Sequence, residues 1–106
     1  MADVRAIEFN EALSCLQGLI GTELQIIINF YETFCACYLT GSLVKIDTLA
    51  PGDAAVNLVI GKRSGILLDP SNLIEVLLAG DLDDGGELSF HLPAQIAIQI
   101  ERAQSA

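Results

Sequence analysis

The long strand-like segment at positions 33–49 constrains the fold most, because its inward-facing register changes at a glycine. Before Gly41 the apolar side chains that would share one strand face are Cys35, Cys37 and Leu39. After Gly41 the apolar positions are Val44 and Ile46. Glycine tolerates the close approach and unusual dihedral angles of a sharp bend without steric cost. The pattern therefore predicts one long, strongly bent strand, which is typical of small barrels.

Shorter segments in which apolar and polar residues alternate predict further strands. They cover residues 22–30, 54–60, 66–68, 88–92 and 96–100. A glycine-containing turn at 61–65 would join two of these strands as a hairpin, and a Pro-Gly turn is expected at 50–53. The acidic, glycine-rich segment 81–87 is predicted to be an exposed loop.

Residues 69–80 admit two interpretations. Asp69 as a cap, with Pro70 at the first helical position, would begin a short helix that runs through Ala79 and ends at Gly80. The alternative is a tight turn followed by a strand at 73–78. The mixture of leucine with β-branched residues in this segment does not decide between them.

A helix is expected at residues 7–20, where apolar residues recur at spacings of three and four. They are Phe9, Ala12, Leu13, Leu16, Leu19 and Ile20. Gly18 and Gly21 offer the left-handed conformation with which helices commonly end. The apolar stripe must be buried, so the helix is predicted to lie across one open end of a barrel.

The composition bounds the number of domains and the class of partner. With 106 residues, 52% of them hydrophobic and 18% charged, the chain is expected to form one domain with a core. Five Lys and Arg against fourteen Asp and Glu leave a net charge of −9. This balance excludes a surface-wide electrostatic footprint for duplex DNA or anionic lipid, although it leaves room for a local basic patch.

The expected location is the cytoplasm, with no membrane association. The first residues lack the basic cluster and apolar run of a secretory signal. No apolar stretch approaches the roughly 20 residues of a membrane-spanning helix. The cysteines, Cys15, Cys35 and Cys37, are odd in number and are interpreted as reduced thiols.

Together these elements predict a mainly β domain over residues 1–106. An N-terminal α-helix precedes a small, strongly bent, five- or six-stranded antiparallel barrel at about 22–101. The last strand is apolar, and its side chains Ile96, Ile98 and Ile100 are expected at an edge that pairs with another copy. Head-to-tail pairing of this kind predicts a homo-oligomeric ring, because such contacts either close or polymerise.

Two short motifs carry a family resemblance. Residues 41–47 (GSLVKID) have a glycine followed six positions later by an aspartate, and residues 57–60 (NLVI) have an asparagine before apolar residues. They resemble the first motif of the Sm and Sm-like (LSm) proteins, and the resemblance covers about residues 9–60. It implies a small Sm-like or SH3-like barrel, made of a helix and five bent strands, that assembles edge to edge into a ring.

The second motif of that family has two candidate positions, residues 67–73 and 90–96. The second is favoured, which makes residues 61–87 an enlarged version of the family's variable loop. Neither candidate contains the arginine that the family has at this motif.

The resemblance implies single-stranded RNA as a ligand of the ring, bound near the pore by Asp47 and Asn57. Lys62 and Arg63 are the adjacent basic pair that would supply positive charge in place of the missing arginine. The alternative is that the side chains of Asp47 and Asn57 only make hydrogen bonds to nearby backbone groups. A second function hypothesis is a structural or adaptor ring that binds protein and no nucleic acid, which the net charge of −9 favours.

No catalytic residue, metal site or cofactor is predicted. Cys35 and Cys37 share a strand face, but zinc sites usually space two cysteines by two to four residues on a tight turn, so both are interpreted as buried hydrophobic residues. His91 has no nucleophile or paired acid in a recognisable motif. The acidic segment 81–87 lacks the full calcium-loop pattern. The chain is therefore predicted not to be an enzyme.

Overall fold

The computed structural model describes residues 3–48 and 54–103 of the chain. These residues form one α-helix, eight strands and two single-turn 3-10 helices. The main elements are β1 (Val4–Ile7), α1 (Phe9–Gln17), β2 (Glu23–Phe30), β3 (Cys35–Thr48), β4 (Val56–Ile60), β5 (Ser64–Leu68), β6 (Glu75–Ala79), β7 (Glu87–Leu92) and β8 (Ile96–Arg102). The turn expected at 50–53 lies outside the described residues.

The strands form a single open antiparallel sheet in the order β1-β6-β7-β8-β2-β3-β4-β5. The predicted mainly β fold with an N-terminal helix is confirmed, whereas the predicted five- or six-stranded barrel is wrong. The additional strands have a simple origin. β1 precedes the helix and pairs with β6, and the β6–β7 hairpin extends the sheet beyond β8.

β3 bends because its two halves pair with different strands. Residues 35–42 pair with β2, and residues 43–48 pair with β4. The register shifts between Leu43 and Lys45, where a bulge changes which side chains face inward. At Gly41 an added Cβ would lie 2.8 Å from Cγ2 of Ile60, so this approach needs a glycine. The strand therefore has the predicted change of register, but the change lies after Leu43 and not at Gly41, and Val44, expected to face inward, is 48% exposed.

One core fills the space between the curled sheet and the helix. Its buried side chains come from α1, from both halves of the sheet and from the turns, and the most fully buried are Phe90, Leu16, Leu19, Leu24, Ile26, Leu43, Leu58, Leu68, Leu88 and Ile100. Burying a side chain of this size contributes roughly 1.5–3 kcal/mol. The helix therefore adds one apolar stripe to a core that the strands supply for the most part.

The helix is shorter than predicted, and a strand lies in front of it. The prediction of residues 7–20 is corrected to Phe9–Gln17, because Glu8 is extended at φ −75° and ψ 154°. The polypeptide then leaves the helix through turns in which Gly21 takes a φ of 90°. Leu19 is nevertheless buried, so the apolar spacing reported the core face correctly beyond the end of the helix.

Residues 69–80 combine a cap with a strand. The Asp69 carboxylate accepts hydrogen bonds from the Ser71 backbone N–H at 3.0 Å and the Ser71 hydroxyl at 2.8 Å. This cap supports only a single 3-10 turn, Pro70–Asn72, after which the chain enters β6. The predicted strand is therefore confirmed over the predicted helix. The prediction that residues 61–87 form an enlarged loop is wrong, since they include β5 and β6.

β8 lies in the interior of the sheet. It pairs with β7 on one side and with β2 on the other. Ile98 and Ile100 are only 6% and 0% exposed. The expectation that Ile96, Ile98 and Ile100 form a free edge is therefore wrong, because the β6–β7 hairpin occupies the position where another copy was expected.

Gly86→Ala is expected to destabilise the fold. A Cβ at this position would lie 2.6 Å from the backbone nitrogen and oxygen of Asp81, and it would also contact the backbone oxygen of Ala79. These atoms belong to a turn in which the Gly86 N–H donates to the Asp81 carbonyl at 2.7 Å. Because backbone must move, we expect the free energy of unfolding to fall by about 1–3 kcal/mol.

The matched control for this prediction is Gly85→Asn. Gly85 has a φ of 79° and nothing within 4 Å of an added Cβ, and asparagine tolerates the left-handed region. Urea unfolding followed by circular dichroism compares the two variants with the wild type. Equal stability of Gly86→Ala and the wild type would contradict the tight packing of this turn.

Candidate interaction surface

The first half of β3 has a free edge. Residues 35–42 pair with β2, and within the described parts of the chain no strand pairs with their other side. β4 covers that side only from Leu43 onward. An edge of this kind presents unpaired backbone groups and is a template for another strand.

Hydrogen bonds near residue 42 show which backbone groups point to the free edge. The Leu43 N–H donates to the Thr22 carbonyl at 3.0 Å, so the backbone groups of Leu43 face β2. The Ser42 carbonyl instead accepts from the Gly61 N–H at 2.8 Å on the opposite side. Because successive residues of a strand point their backbone groups to opposite sides, the even-numbered residues before Ser42 point away from β2.

The free edge therefore offers the N–H and C=O groups of Ala36, Tyr38 and Thr40. All residues from Cys35 to Thr40 are exposed. The edge is long enough for a strand of ordinary length, since strands in globular proteins most often have about 5–6 residues.

Exposed apolar side chains gather around this edge. Tyr31, Phe34, Tyr38 and Leu39 are 50%, 98%, 69% and 37% exposed. Phe34 also has a φ of 53°, a conformation that bulky residues rarely adopt. Soluble monomers rarely leave neighbouring aromatic and aliphatic side chains uncovered, so this hairpin end has the character of an interaction surface.

Cys35 and Cys37 are exposed on this surface, which corrects the prediction that they are buried. They share the strand face whose later residues reach the core, but this end of the β2–β3 hairpin extends past the elements that cover it. Strand alternation cannot distinguish these situations, because the same periodicity holds along the whole strand.

The surface charge around the edge is uneven. Residues 33–41 contain no charged side chain. Three of the five Lys and Arg residues form ion pairs: Arg5 with Glu11, Lys45 with Asp47 and Arg102 with Asp83. Within the described residues, Lys62 and Arg63 form no ion pair, and both are exposed in the turn between β4 and β5. These are the cations available to a partner.

The sequence-predicted binding residues lie in two places. Asp47 and Asn57 are directly opposite each other on β3 and β4. Asp47 is also 3.3 Å from the Lys45 ammonium group. Lys62 and Arg63 follow the other end of β4, so the structure brings the first two residues together and leaves the basic pair apart from them. The role of all four in binding nucleic acid remains a prediction.

A cavity of about 440 Å³ lies between α1 and the loop after β6, and sequence reasoning missed it. Its lining includes Arg5, Cys15, Leu78 and Asp81. Burial raises the pKa of the Cys15 thiol, and the carboxylates of Glu11 and Asp81 raise it further against the opposing effect of Arg5. A raised pKa reduces the fraction of Cys15 present as the reactive thiolate.

In the described residues, no group of three or more His, Cys, Asp or Glu side chains is arranged to hold a metal ion. His91 lies opposite Glu75 on neighbouring strands, and its backbone carbonyl accepts from the Ile74 N–H at 2.7 Å. These contacts place His91 within the sheet, where the residue is half-buried.

No protein-family model, no curated protein and no solved structure matches this chain. Among the described residues, no helix combines the length and apolar character needed to cross a membrane.

The three thiols are expected to differ in reactivity. In dilute protein at about pH 8, iodoacetamide should modify Cys35 and Cys37 well before Cys15, because the thiolate is the reactive form and its fraction at Cys15 is reduced. Raising the pH should increase the rate at Cys15, because its raised pKa leaves more of this thiol protonated near neutral pH. Peptide mass spectrometry measures the rates, with urea-unfolded protein as the control; equal rates in the folded state would contradict the burial.

Proposed function

We propose that this protein is a non-enzymatic interaction module that associates with copies of itself, and so serves a structural or adaptor role. The observation that carries the proposal is the free, uncharged edge of β3 with its exposed apolar side chains. Natural proteins usually protect such an edge with charged residues, proline or a covering segment. In the described residues this edge carries none of these devices, which favours an edge that pairs with a partner.

The charge balance supports protein as the partner. A net charge of −9 repels phosphate backbones over most of the surface. Three of the five cations are engaged with carboxylates of the same chain. The free cysteines support a reducing compartment, so the proposed location is the cytoplasm.

A second candidate is an Sm-like ring that binds single-stranded RNA. It is favoured by the direct pairing of Asp47 with Asn57 and by a helix followed by five neighbouring strands, β8-β2-β3-β4-β5, in which β3 is bent. Because β7 covers β8, such a ring would have to join its subunits through the outermost strands β1 and β5. The unpaired Lys62 and Arg63 would then supply positive charge.

The first test is the native mass by light scattering over a range of concentrations, with absorbance at 260 and 280 nm read on the same peak. We expect a homo-oligomer without excess absorbance at 260 nm. A monomer near the chain mass of 11.3 kDa at every concentration would contradict the proposal. An oligomer that carries excess 260 nm absorbance would favour the RNA-binding candidate.

Substitution of the basic pair tests the second candidate. If RNA binds there, Lys62→Ala with Arg63→Ala should weaken the binding of a labelled oligouridine about tenfold or more at low salt and reduce the salt dependence. Arg102→Ala is the control, because this cation is already paired with Asp83 and lies outside the candidate binding residues. Fluorescence polarisation measures both, and absence of affinity in the wild type removes the candidate.

A further inference from the structure

We propose that a second copy of this chain pairs with the free edge of β3, in an antiparallel arrangement with its twofold axis at Tyr38. This inference rests on the proposed self-association and names the edge and register that carry it. The outward groups are those of Ala36, Tyr38 and Thr40, whose backbone faces away from β2. Antiparallel pairing of an edge with its own copy is self-complementary, so it closes as a dimer and does not polymerise.

The register follows from the positions of the outward groups. Centring the axis on Tyr38 places Tyr38 opposite Tyr38 of the second copy and Ala36 opposite its Thr40. Every outward N–H and C=O between these positions then finds a partner, since hydrogen-bonded pairs exchange both bonds. A shift by two residues would bring Phe34 into the ladder, and its φ of 53° is incompatible with a strand. With the axis at Tyr38, the pairing therefore includes the outward backbone groups of all three edge residues.

Side chains on both faces are compatible with this register. Cys37 would face Leu39 of the second copy at a pair without hydrogen bonds, where side chains approach most closely. Both lie beside half-buried or buried isoleucines of β2, because Ile28 is opposite Cys37 and Ile26 is opposite Leu39. On the other face the two Tyr38 rings would meet as a cross-strand aromatic pair. The pairing would cover the side chains that the single chain leaves exposed.

Charge complementarity selects a second copy as the occupant. β4 follows the same side of β3 from Leu43 onward, so the second copy's strand would lie end to end with β4. Its β2–β3 turn would then reach the β4–β5 turn, which places the exposed Glu32 of one copy near Lys62 and Arg63 of the other. The twofold axis repeats this contact. Two molecules of charge −9 would thus meet where their facing strands are neutral and their turns are opposite in charge.

A designed disulfide tests the register. In a background of Cys15→Ser and Cys35→Ser, Leu39→Cys would lie across from Cys37 of the second copy. Pairs without hydrogen bonds have Cα atoms about 4.5 Å apart, within the range of about 4.4–6.8 Å for disulfides. Oxidised glutathione should convert this variant to a covalent dimer, and peptide mapping should identify the bridge between residues 37 and 39.

Two controls accompany the disulfide experiment. Leu67→Cys in the same background is exposed on β5 and should remain monomeric on denaturing gels. The parent that retains only Cys37 should also fail to cross-link. A Cys37–Cys37 bridge in that parent would show a different register and overturn the one proposed.

A charge substitution tests the edge itself. Tyr38→Lys would place two ammonium groups opposite each other on the axis, and we expect the dimer dissociation constant to rise by about tenfold or more. Leu67→Lys is the matched control, because it adds the same charge at a side chain that is 58% exposed on β5. It should change the constant by no more than about twofold. General electrostatics cannot produce this difference, since either lysine lowers the net negative charge equally.

Reversal of the turn charges tests the contact between copies. Glu32→Lys alone, and Lys62→Glu with Arg63→Glu, should each weaken the dimer by about two- to fivefold, and the triple variant should recover the loss. Circular dichroism verifies that each variant folds. If the wild type is a monomer at all concentrations, self-association itself fails. Suppose instead that the wild type is an oligomer, that Tyr38→Lys leaves this oligomer intact, and that the Leu39→Cys variant does not cross-link. In that case only the proposed edge is wrong.

Discussion

The double pairing of β3 is the constraint on which the rest of the structure depends. One continuous strand bonds to β2 over residues 35–42 and to β4 over residues 43–48. The bulge after Leu43 turns the strand, and this turn folds β4 and β5 over the core that β2, β8 and β7 share with the helix. Without the bend, Leu58 and Phe90 would lie on distant strands of a flat sheet and would not share one core.

The same pairing explains why this protein has an exposed apolar edge. A strand has two sides, and in the described residues each half of β3 is paired on only one of them. β2 holds the first half from one side, while β4 begins too late to cover residues 35–40 on the other. The free edge is thus a geometric consequence of the bend. Its residues are uncharged and exposed, in contrast to the acidic surface elsewhere.

Local sequence patterns predicted the strands well and their neighbours poorly. The bounds of β2, β3 and β8 lie within a few residues of the alternating segments, because alternation reports which side chains face a core. The same alternation cannot report which strand lies beside them. The pattern therefore predicts an edge position for Ile98, which β7 and β2 enclose, and an interior position for Cys37, which is exposed.

The sequence by itself determined the class of the fold, the change of register within β3 and the excess of negative charge. These depend on residue type and on spacing along a short stretch of chain. The tertiary structure alone decided the order of the strands, since β1 and the β6–β7 hairpin join the sheet through hydrogen bonds between residues distant in sequence. Strand order in turn decides which backbone groups of the described residues remain unpaired, and for that reason the free edge of β3 became visible only in the folded molecule.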